Sequence, residues 1–340
     1  MQLQREIEME MRVLGRTRIK VSILGFGCGA VGGLMVRGAP ADQERTIGRA
    51  LDAGVNYFDT AVQYGNGESE RNLGRVLRAL KVENAVIGTK IGLRPDEMSH
   101  IGEAASRSLE GSLRRLGIEW VDIFHLHNPI TAVGGGETIS ARQVLDEVAP
   151  AFDKLRRQGK LRHLGITAIG DTAALKEVID AGVFDAAQVV YNMLNPSAAR
   201  ALPANYPAQD YGLLLEHTQT CGVGVIGIRV LAGGALTGSA ERHPIASPAP
   251  VPIGSANSYE GDLTRARRLL PLVQARFATS LAEAATRFAI SHPAVGTVLV
   301  GMASPEQFGA ALAAVDKGPL PEAALDRIAA LQQGFASEAR

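Results

Sequence analysis

The chain is 340 residues long, 46% of them apolar, and its 35 Lys and Arg balance 35 Asp and Glu. That length and apolar content suffice for a large buried core and fit one barrel with insertions better than two average domains. Balanced charge gives no net field to draw nucleic acid or an anionic membrane surface, so neither is expected as a partner and any anion site must be local.

The start, Met1 to Glu10, is charged and lacks the apolar core of a signal peptide; it is expected to be a disordered tail, with 11–340 forming one domain. No run approaches the ~20 apolar residues of a membrane span. Cys28 and Cys221 are too few for a disulfide framework, read as small buried hydrophobes, and point to a reducing compartment, so a cytoplasmic protein is expected. From Met11 to Val21 the pattern gives two short strands around Gly15-Arg16-Thr17, a hairpin placed to plug the bottom of a barrel.

Strands and helices then alternate. Strands are expected at Val21–Phe26, Val55–Phe58, Ala85–Thr89, Val121–Leu126, Leu161–Ile166, Ala186–Val190, Gly224–Ile228 and Thr297–Val300. Apolar residues at three- and four-residue spacing predict helices over Asp42–Ala53, Ser69–Leu80, Ile101–Leu116, Gln143–Gln158, Thr172–Ala181, Asp210–Cys221, Leu281–Ser291 and Pro305–Val315. Gly54, Gly117, Gly159, Gly182 and Gly222 stand where left-handed helix caps are wanted. Two stretches interrupt the repeat. Asn128 to Gly136 reads as a long flexible loop after the fourth strand, and Leu231 to Ser258, rich in Gly, Pro and Ala, precedes an extra helix near Asp262–Ala275 and is placed to fold over a ligand. Eight βα repeats predict an α/β fold, the (β/α)8 TIM barrel, with the N-terminal β-hairpin and an extra helix after strand 7; a doubly wound sheet is the runner-up.

Asp59, Tyr64, Lys90 and His127 each stand at or just past the end of a separate strand, the face where such barrels carry their active sites. A phenol, an ammonium, a carboxylate and an imidazole converging there suggest acid–base chemistry. By strand alternation His125 points to the same side as His127, which raises a two-histidine metal site; no Cys or carboxylate stands at ligand spacing, so no metal is expected, and His125 is expected to be a satisfied residue of the barrel interior.

Phe58-Asp-Thr-Ala61 with Tyr64-Gly65, then Ser69-Glu-Arg-Asn-Leu-Gly74, Gly88-Thr-Lys90, and Asp122-Ile-Phe-His-Leu-His127 followed by Pro129, resembles the aldo-keto reductases in order, spacing and strand context. The resemblance runs from Leu14 to about Leu320 and implies an NAD(P)(H)-dependent carbonyl reductase, with Tyr64 as proton donor, Lys90 and Asp59 tuning it, and His127 orienting the substrate. Physically, hydride delivered to a carbonyl carbon leaves an alkoxide-like oxygen that needs a positioned acid. A Lys ammonium ~4 Å from the phenol is expected to draw its pKa of about 10 downward, and a carboxylate keeps that ammonium charged.

For the cofactor, the resemblance implies contacts from Gly27 and Cys28 at the first strand's end, from Asp59, and from Thr167 and Gln188 to the nicotinamide amide. It places Ile228 where an aromatic is common and Arg229 where a small polar residue is common, and puts Leu231 and Gly233 in the loop that wraps the pyrophosphate. After the eighth strand it adds Gly301, Ser304 and Gln307, with Ser304 capping a helix whose N-terminus attracts phosphate. The family's cation for the 2′-phosphate is missing near Ala303 and Gln307, and its adenine-binding Asn near Ala311, yet family habit favours NADP(H), with NAD(H) left open. The expected partner is a small-molecule carbonyl: an aldehyde, ketone or sugar-like substrate, or an aldose oxidised in reverse. The alternative is a cofactor-sensing subunit that works by binding a partner protein. The substrate pocket is expected from Val31 to Met35, Tyr64, Asn128 to Gly136, Tyr191 and the seventh-strand loop.

Overall fold

The computed structural model describes residues 9–338, so most of the expected N-terminal tail, residues 1–8, lies outside the described residues. Met9 is half-buried against the core, and Ile23 N–H donates to the Glu10 carbonyl at 2.8 Å, which makes these two residues part of the fold rather than of a tail.

In chain order the strands are β1 (Met11–Val13), β2 (Lys20–Ser22), β3 (Leu24–Gly27), β4 (Tyr57–Asp59), β5 (Val86–Ile91), β6 (Val121–Leu126), β7 (Ile130–Thr131), β8 (Ile139–Ser140), β9 (Leu161–Ala168), β10 (Ala186–Val190), β11 (Gly224–Ile228) and β12 (Val295–Gly301). The helices are α1 (Leu34–Arg37), α2 (Pro40–Asp52), α3 (Glu68–Ala79), α4 (Ile101–Leu116), α5 (Ala141–Gln143), α6 (Ala149–Arg157), α7 (Thr172–Asp180), α8 (Leu214–Thr220), α9 (Tyr259–Arg267), α10 (Pro271–Gln274), α11 (Leu281–Ile290), α12 (Pro305–Asp316) and α13 (Glu322–Gln333). No described helix is long and apolar enough to cross a membrane.

Strands β3, β4, β5, β6, β9, β10, β11 and β12 pair in parallel and close into a barrel, with helices between them, which is the expected (β/α)8 architecture. The hairpin β1–β2 forms antiparallel, Met11 facing Ser22, and its turn seats Leu14 fully buried against Tyr57, Ile123, Ala186 and Ile226. Because Gly15 abuts Gly224, the first residue of β11, the hairpin closes the N-terminal end of the barrel as expected. All five glycines expected to cap helices have left-handed φ, from 66° to 84°.

Local chemistry explains where the elements differ from expectation. The first predicted strand splits, because Ser22 ends the hairpin and the barrel strand begins only at Leu24. The helix expected from Asp210 starts at Leu214, since Gly212 and Leu213 take left-handed φ of 56° and 62°. The extra helix after β11 exists but is divided into α9 and α10 ahead of Pro271, which cannot donate an N–H to continue the first. Helix α13 was not anticipated, although Ala324, Ile328 and Gln332 form a buried row at four-residue spacing.

The barrel interior needs glycines for a steric reason. A Cβ at Gly165 would collide with His125 Nδ1, and one at Gly88 would press on the Tyr57 hydroxyl. Two aromatic rings thus occupy space that side chains on the facing strands would otherwise fill. His125 is fully buried as expected, but it is not satisfied: neither ring nitrogen has a hydrogen-bond partner, the Ile166 backbone nearby falling outside bonding geometry. Burial, reinforced by the Lys90 charge, drives its pKa well below the usual histidine value, so the ring is neutral.

Candidate active site

Asp59 is the last residue of β4, Lys90 lies within β5, His127 directly follows β6, and Tyr64 sits in the turn after β4, its N–H bonded to Ala61 O at 3.1 Å. The C-terminal ends of neighbouring parallel strands therefore gather all four side chains at one mouth. Lys90 is completely buried and directs its ammonium to Asp59 Oδ1 at 2.5 Å, to the Thr60 carbonyl at 2.8 Å and to Tyr64 Oη at 3.1 Å. An ammonium has three protons to donate, so it is saturated. His127 fixes its backbone on Ile91 O at 2.7 Å and sets its ring edge-on to Tyr64, centroids 6.0 Å apart at 83°.

Asp59 is a hub. Besides Lys90, its Oδ2 accepts from Gln188 Nε2 at 2.6 Å and from the Tyr57 hydroxyl at 3.4 Å, while Gln188 Oε1 accepts from Thr167 at 3.4 Å. Residues that the sequence motifs contained but that were given no role there hold this layer. Ser69 Oγ donates to Cys28 O at 2.9 Å and meets Thr60 at 2.8 Å, clipping the ends of β3 and β4 together. Buried Glu70 accepts from Thr89, next to Lys90, at 2.7 Å and pairs with Arg115 at 2.5 Å. The signal was the polar Ser69-Glu70 pair on the buried face of α3.

Electrostatics correct one expectation. Burial holds the Tyr64 phenol above its usual pKa; Lys90 pulls it down, but Asp59 pushes it back up. With the carboxylate only 2.5 Å from the ammonium, the phenol faces a pair rather than a bare cation, so desolvation wins and the phenol keeps its proton. Burial also works to lower Lys90, yet Asp59 and Tyr64 outweigh it and hold its pKa above the usual value. His127 falls to about 3, chiefly through burial and then through the charges of Lys90 and Arg229, which leaves a neutral imidazole.

Beside this mouth, the loop after β11 and helix α12 enclose a cavity of about 420 Å³. Arg229, Leu231, Gly233, Gly301 and Gln307, five of the residues named from the sequence as cofactor contacts, line it, and Arg242 and Tyr259, which the sequence did not point to, line it too. Arg229 takes a left-handed φ of 56°, a conformation that costs a non-glycine residue on the order of 1 kcal/mol and recurs at functional sites. Its half-buried guanidinium has no hydrogen-bond or ion-pair partner among the described residues. A desolvated, unpaired cation on the wall of a groove fits an anionic ligand. The segment following β11 does cross the cavity, tied by Arg37 Nε to Ile245 O at 2.6 Å and by Ser247 N to Val31 O at 3.0 Å.

Other expected contacts lie elsewhere. Ser304 caps α12 through Gln307 N–H at 3.3 Å and is not on the cavity wall. Gly27, Cys28, Thr167, Gln188 and Ile228 ring the barrel mouth outside this cavity; Cys28 gives its N–H to Asp59 O and its carbonyl to Ser69, and Ile228 packs against the core. Cys28 is buried, whereas Cys221 is half-exposed at the end of α8 with its thiol toward Asp180, contrary to the expectation for it. Asn128 is a staple rather than a pocket wall: it bonds Leu93 N at 2.7 Å and the Leu93 and Glu137 carbonyls at 2.8 and 2.9 Å, which ties down the loop expected to be flexible. Tyr191 is removed from the pocket by stacking on Phe288, centroids 5.0 Å apart. Among the described residues no three His, Cys, Asp or Glu side chains are grouped to hold a metal.

A sequence model described as the aldo/keto reductase family matches residues 23–333. L-galactose dehydrogenase of Arabidopsis thaliana is 31% identical, over 91% of this chain and 88% of that protein. A probable voltage-gated potassium channel subunit beta of Oryza sativa subsp. japonica is 27% identical, over 96% of this chain and 97% of that protein. The solved structure of aldo-keto reductase AKR11C1 from Bacillus halodurans in its holo form superposes with a TM-score of 0.66 at 25% identity, covering 98% of this chain and 96% of that one.

Proposed function

The chain belongs to the aldo/keto reductase family and is an oxidoreductase, and we propose that it interconverts the carbonyl of an aldehyde, ketone or aldose with the corresponding alcohol, using a nicotinamide dinucleotide and Tyr64 as the acid–base group. The observation that carries this reading is the buried Lys90 ammonium, which spends one of its three donors on the Tyr64 phenol at 3.1 Å and another on Asp59. When bound, the dinucleotide supplies or accepts the hydride.

The chain's own residues handle the proton. In reduction, Tyr64 Oη gives its proton to the carbonyl oxygen as negative charge gathers there, the new O–H bond forming as the phenolic one breaks. The resulting phenolate is received by a hydrogen bond from the Lys90 ammonium that is already aligned and charge-assisted and becomes an ion pair, so the transferred charge needs little reorganisation. In oxidation the same oxygen takes the proton from the alcohol. His127, neutral and set edge-on to the phenol, offers one N–H to the reacting oxygen without adding a second positive charge beside Lys90. Arg229, unpaired on the cavity wall, is suited to a phosphate of the dinucleotide. By the family's habit that cofactor would be NADP(H).

The likeness to a channel beta subunit keeps a second reading, a cofactor sensor that acts through a partner protein. Turnover separates the two. NADH and NADPH absorbance is followed with aldoses, aldehydes and ketones, alongside dinucleotide titrations by protein fluorescence. Consumption with any carbonyl supports the enzyme; tight binding with no turnover across the panel transfers support to the sensor.

A further inference from the structure

We propose that Gln188 is a positioning residue for the proton chemistry: from the far wall of the barrel it grips the second oxygen of Asp59 and so governs how Lys90 and Tyr64 act. This deepens, and rests on, the reading of Tyr64 as the acid–base group.

The closed sheet runs β10-β11-β12-β3-β4-β5-β6-β9, so Gln188 on β10 and Asp59 on β4 stand four strands apart in either direction, opposite each other across the interior. Gln188 Nε2 nevertheless reaches Asp59 Oδ2 at 2.6 Å, and both side chains are buried. An ionised carboxylate only accepts, so the amide must face it with its nitrogen. Thr167, the register partner of Gln188 on β9, donates its hydroxyl to Oε1 at 3.4 Å and favours the same orientation. A row of hydrogen bonds therefore crosses the barrel, joining Thr167, Gln188, Asp59, Lys90 and Tyr64.

The two oxygens of Asp59 have separate tasks. Oδ1 takes Lys90, whereas Oδ2 takes Gln188, with Tyr57 a longer second donor at 3.4 Å. A carboxylate held at both oxygens cannot turn, and the ammonium, saturated by Asp59, Thr60 and Tyr64, inherits that fixed position. Gln188 also works to keep Asp59 ionised against burial and draws its charge away from the phenol, on which Asp59 acts. Without this donor the carboxylate bears on Tyr64 in full and makes it a weaker acid. The amide has a further N–H and Oε1 a further lone pair, so a contact to a bound nicotinamide is compatible with this role.

The surroundings give a quiet background for a titration. Around Asp59 stand Lys90 on β5, Tyr57 on β4, Cys28 beyond β3 and Tyr64; His125 and His127 face Lys90, and Arg229 acts on Tyr64. The two phenols, the thiol and the ammonium are held above their usual values and the two imidazoles below theirs, so none of them titrates between about pH 5 and 9. A carboxyl at position 188 would titrate there. It can donate to Asp59 only while protonated, and two adjoining carboxyls resist ionising together, so the pair releases its shared proton at a raised pH.

The test reads two variants in two ways. Turnover of wild type, Gln188→Glu and Gln188→Leu is followed in both directions across about pH 5 to 9, and melting of each protein without dinucleotide is followed by circular dichroism over the same range. Gln188→Glu should keep most of its reduction rate at the acid end and lose about tenfold or more toward the alkaline end, along a limb that wild type lacks. Its melting point should fall away from that of wild type over the same limb, because a carboxyl raised on folding loses its stabilising effect as pH rises through the folded value. Gln188→Leu, which donates at no pH, should lower kcat about tenfold, shift the rise of the oxidation rate to higher pH, and leave the dinucleotide Kd within about threefold. A Gln188→Glu protein whose rate and melting both follow wild type with pH overturns the grip on Asp59. An unshifted oxidation limb in Gln188→Leu overturns the role in proton transfer whether or not Gln188→Glu folds, and a Kd weakened more than about tenfold beside that unshifted limb assigns Gln188 to the cofactor alone. If wild type turns over no carbonyl, the reading of Tyr64 fails and this role fails with it, while the melting curves still show whether Gln188 holds Asp59.

Discussion

Replacing Lys90 by Met probes the centre of the site twice, once through stability and once through chemistry. In the native protein Asp59 is 3% exposed and its charge is matched by the ammonium 2.5 Å away. Removing one partner of a buried ion pair leaves the other uncompensated, at a cost of about 3–5 kcal/mol. Gln188 and Tyr57 still donate to Asp59, which favours the lower half of that range. Burial already holds the Asp59 pKa above its usual value with Lys90 beside it, and losing the cation raises it further. A group raised on folding contributes its stability below the unfolded pKa and loses it as pH rises through the folded one. The variant should therefore melt well below wild type at pH 8 and recover much of the difference toward pH 5. Thermal unfolding followed by circular dichroism across that range is the assay. Lys90→Met/Asp59→Asn should restore stability at pH 8 without restoring turnover. A Lys90→Met protein as stable as wild type at pH 8 would refute the claim that the pair is buried and mutually dependent.

Three further outcomes are expected. Tyr64→Phe should lower turnover by about 10²–10⁴ while dinucleotide affinity stays within about twofold, and retention of more than a tenth of wild-type activity would remove Tyr64 as the acid. Arg229→Ala should weaken dinucleotide binding about 10- to 150-fold by fluorescence titration, equally for NADH and NADPH if the guanidinium meets the pyrophosphate; unchanged constants for both would end that assignment. With His127 lowered to about 3 and Tyr64 raised above its usual value, kcat/KM for reduction should show no inflection between about pH 5 and 9, while oxidation, which needs the phenolate, should rise with pH; a reduction limb near pH 6.5 that vanishes in His127→Gln would contradict the neutral imidazole.

What the sequence disclosed and what it withheld divide along a physical line. The barrel and the placement of Asp59, Tyr64, Lys90 and His127 were legible because both depend on local order: an apolar run makes a strand, and the residue at its end must face the mouth. Errors arose where a side chain's fate is set by a partner far along the chain. Asn128 was read as pocket and is a staple because Leu93 and Glu137 meet it; Tyr191 was read as pocket and is core because Phe288 covers it. The Tyr64 phenol was expected to be lowered because Lys90 was weighed as a lone cation, whereas Asp59 lies against it and burial acts on all three. Arg229 is the instructive intermediate. Its position after β11 followed from local pattern, but its significance comes from the lack of any partner among the described residues, a property of the whole fold rather than of its neighbours in sequence. A cation left unpaired and half-buried beside a groove is held there at a cost in desolvation, which pairing with an anionic ligand would offset.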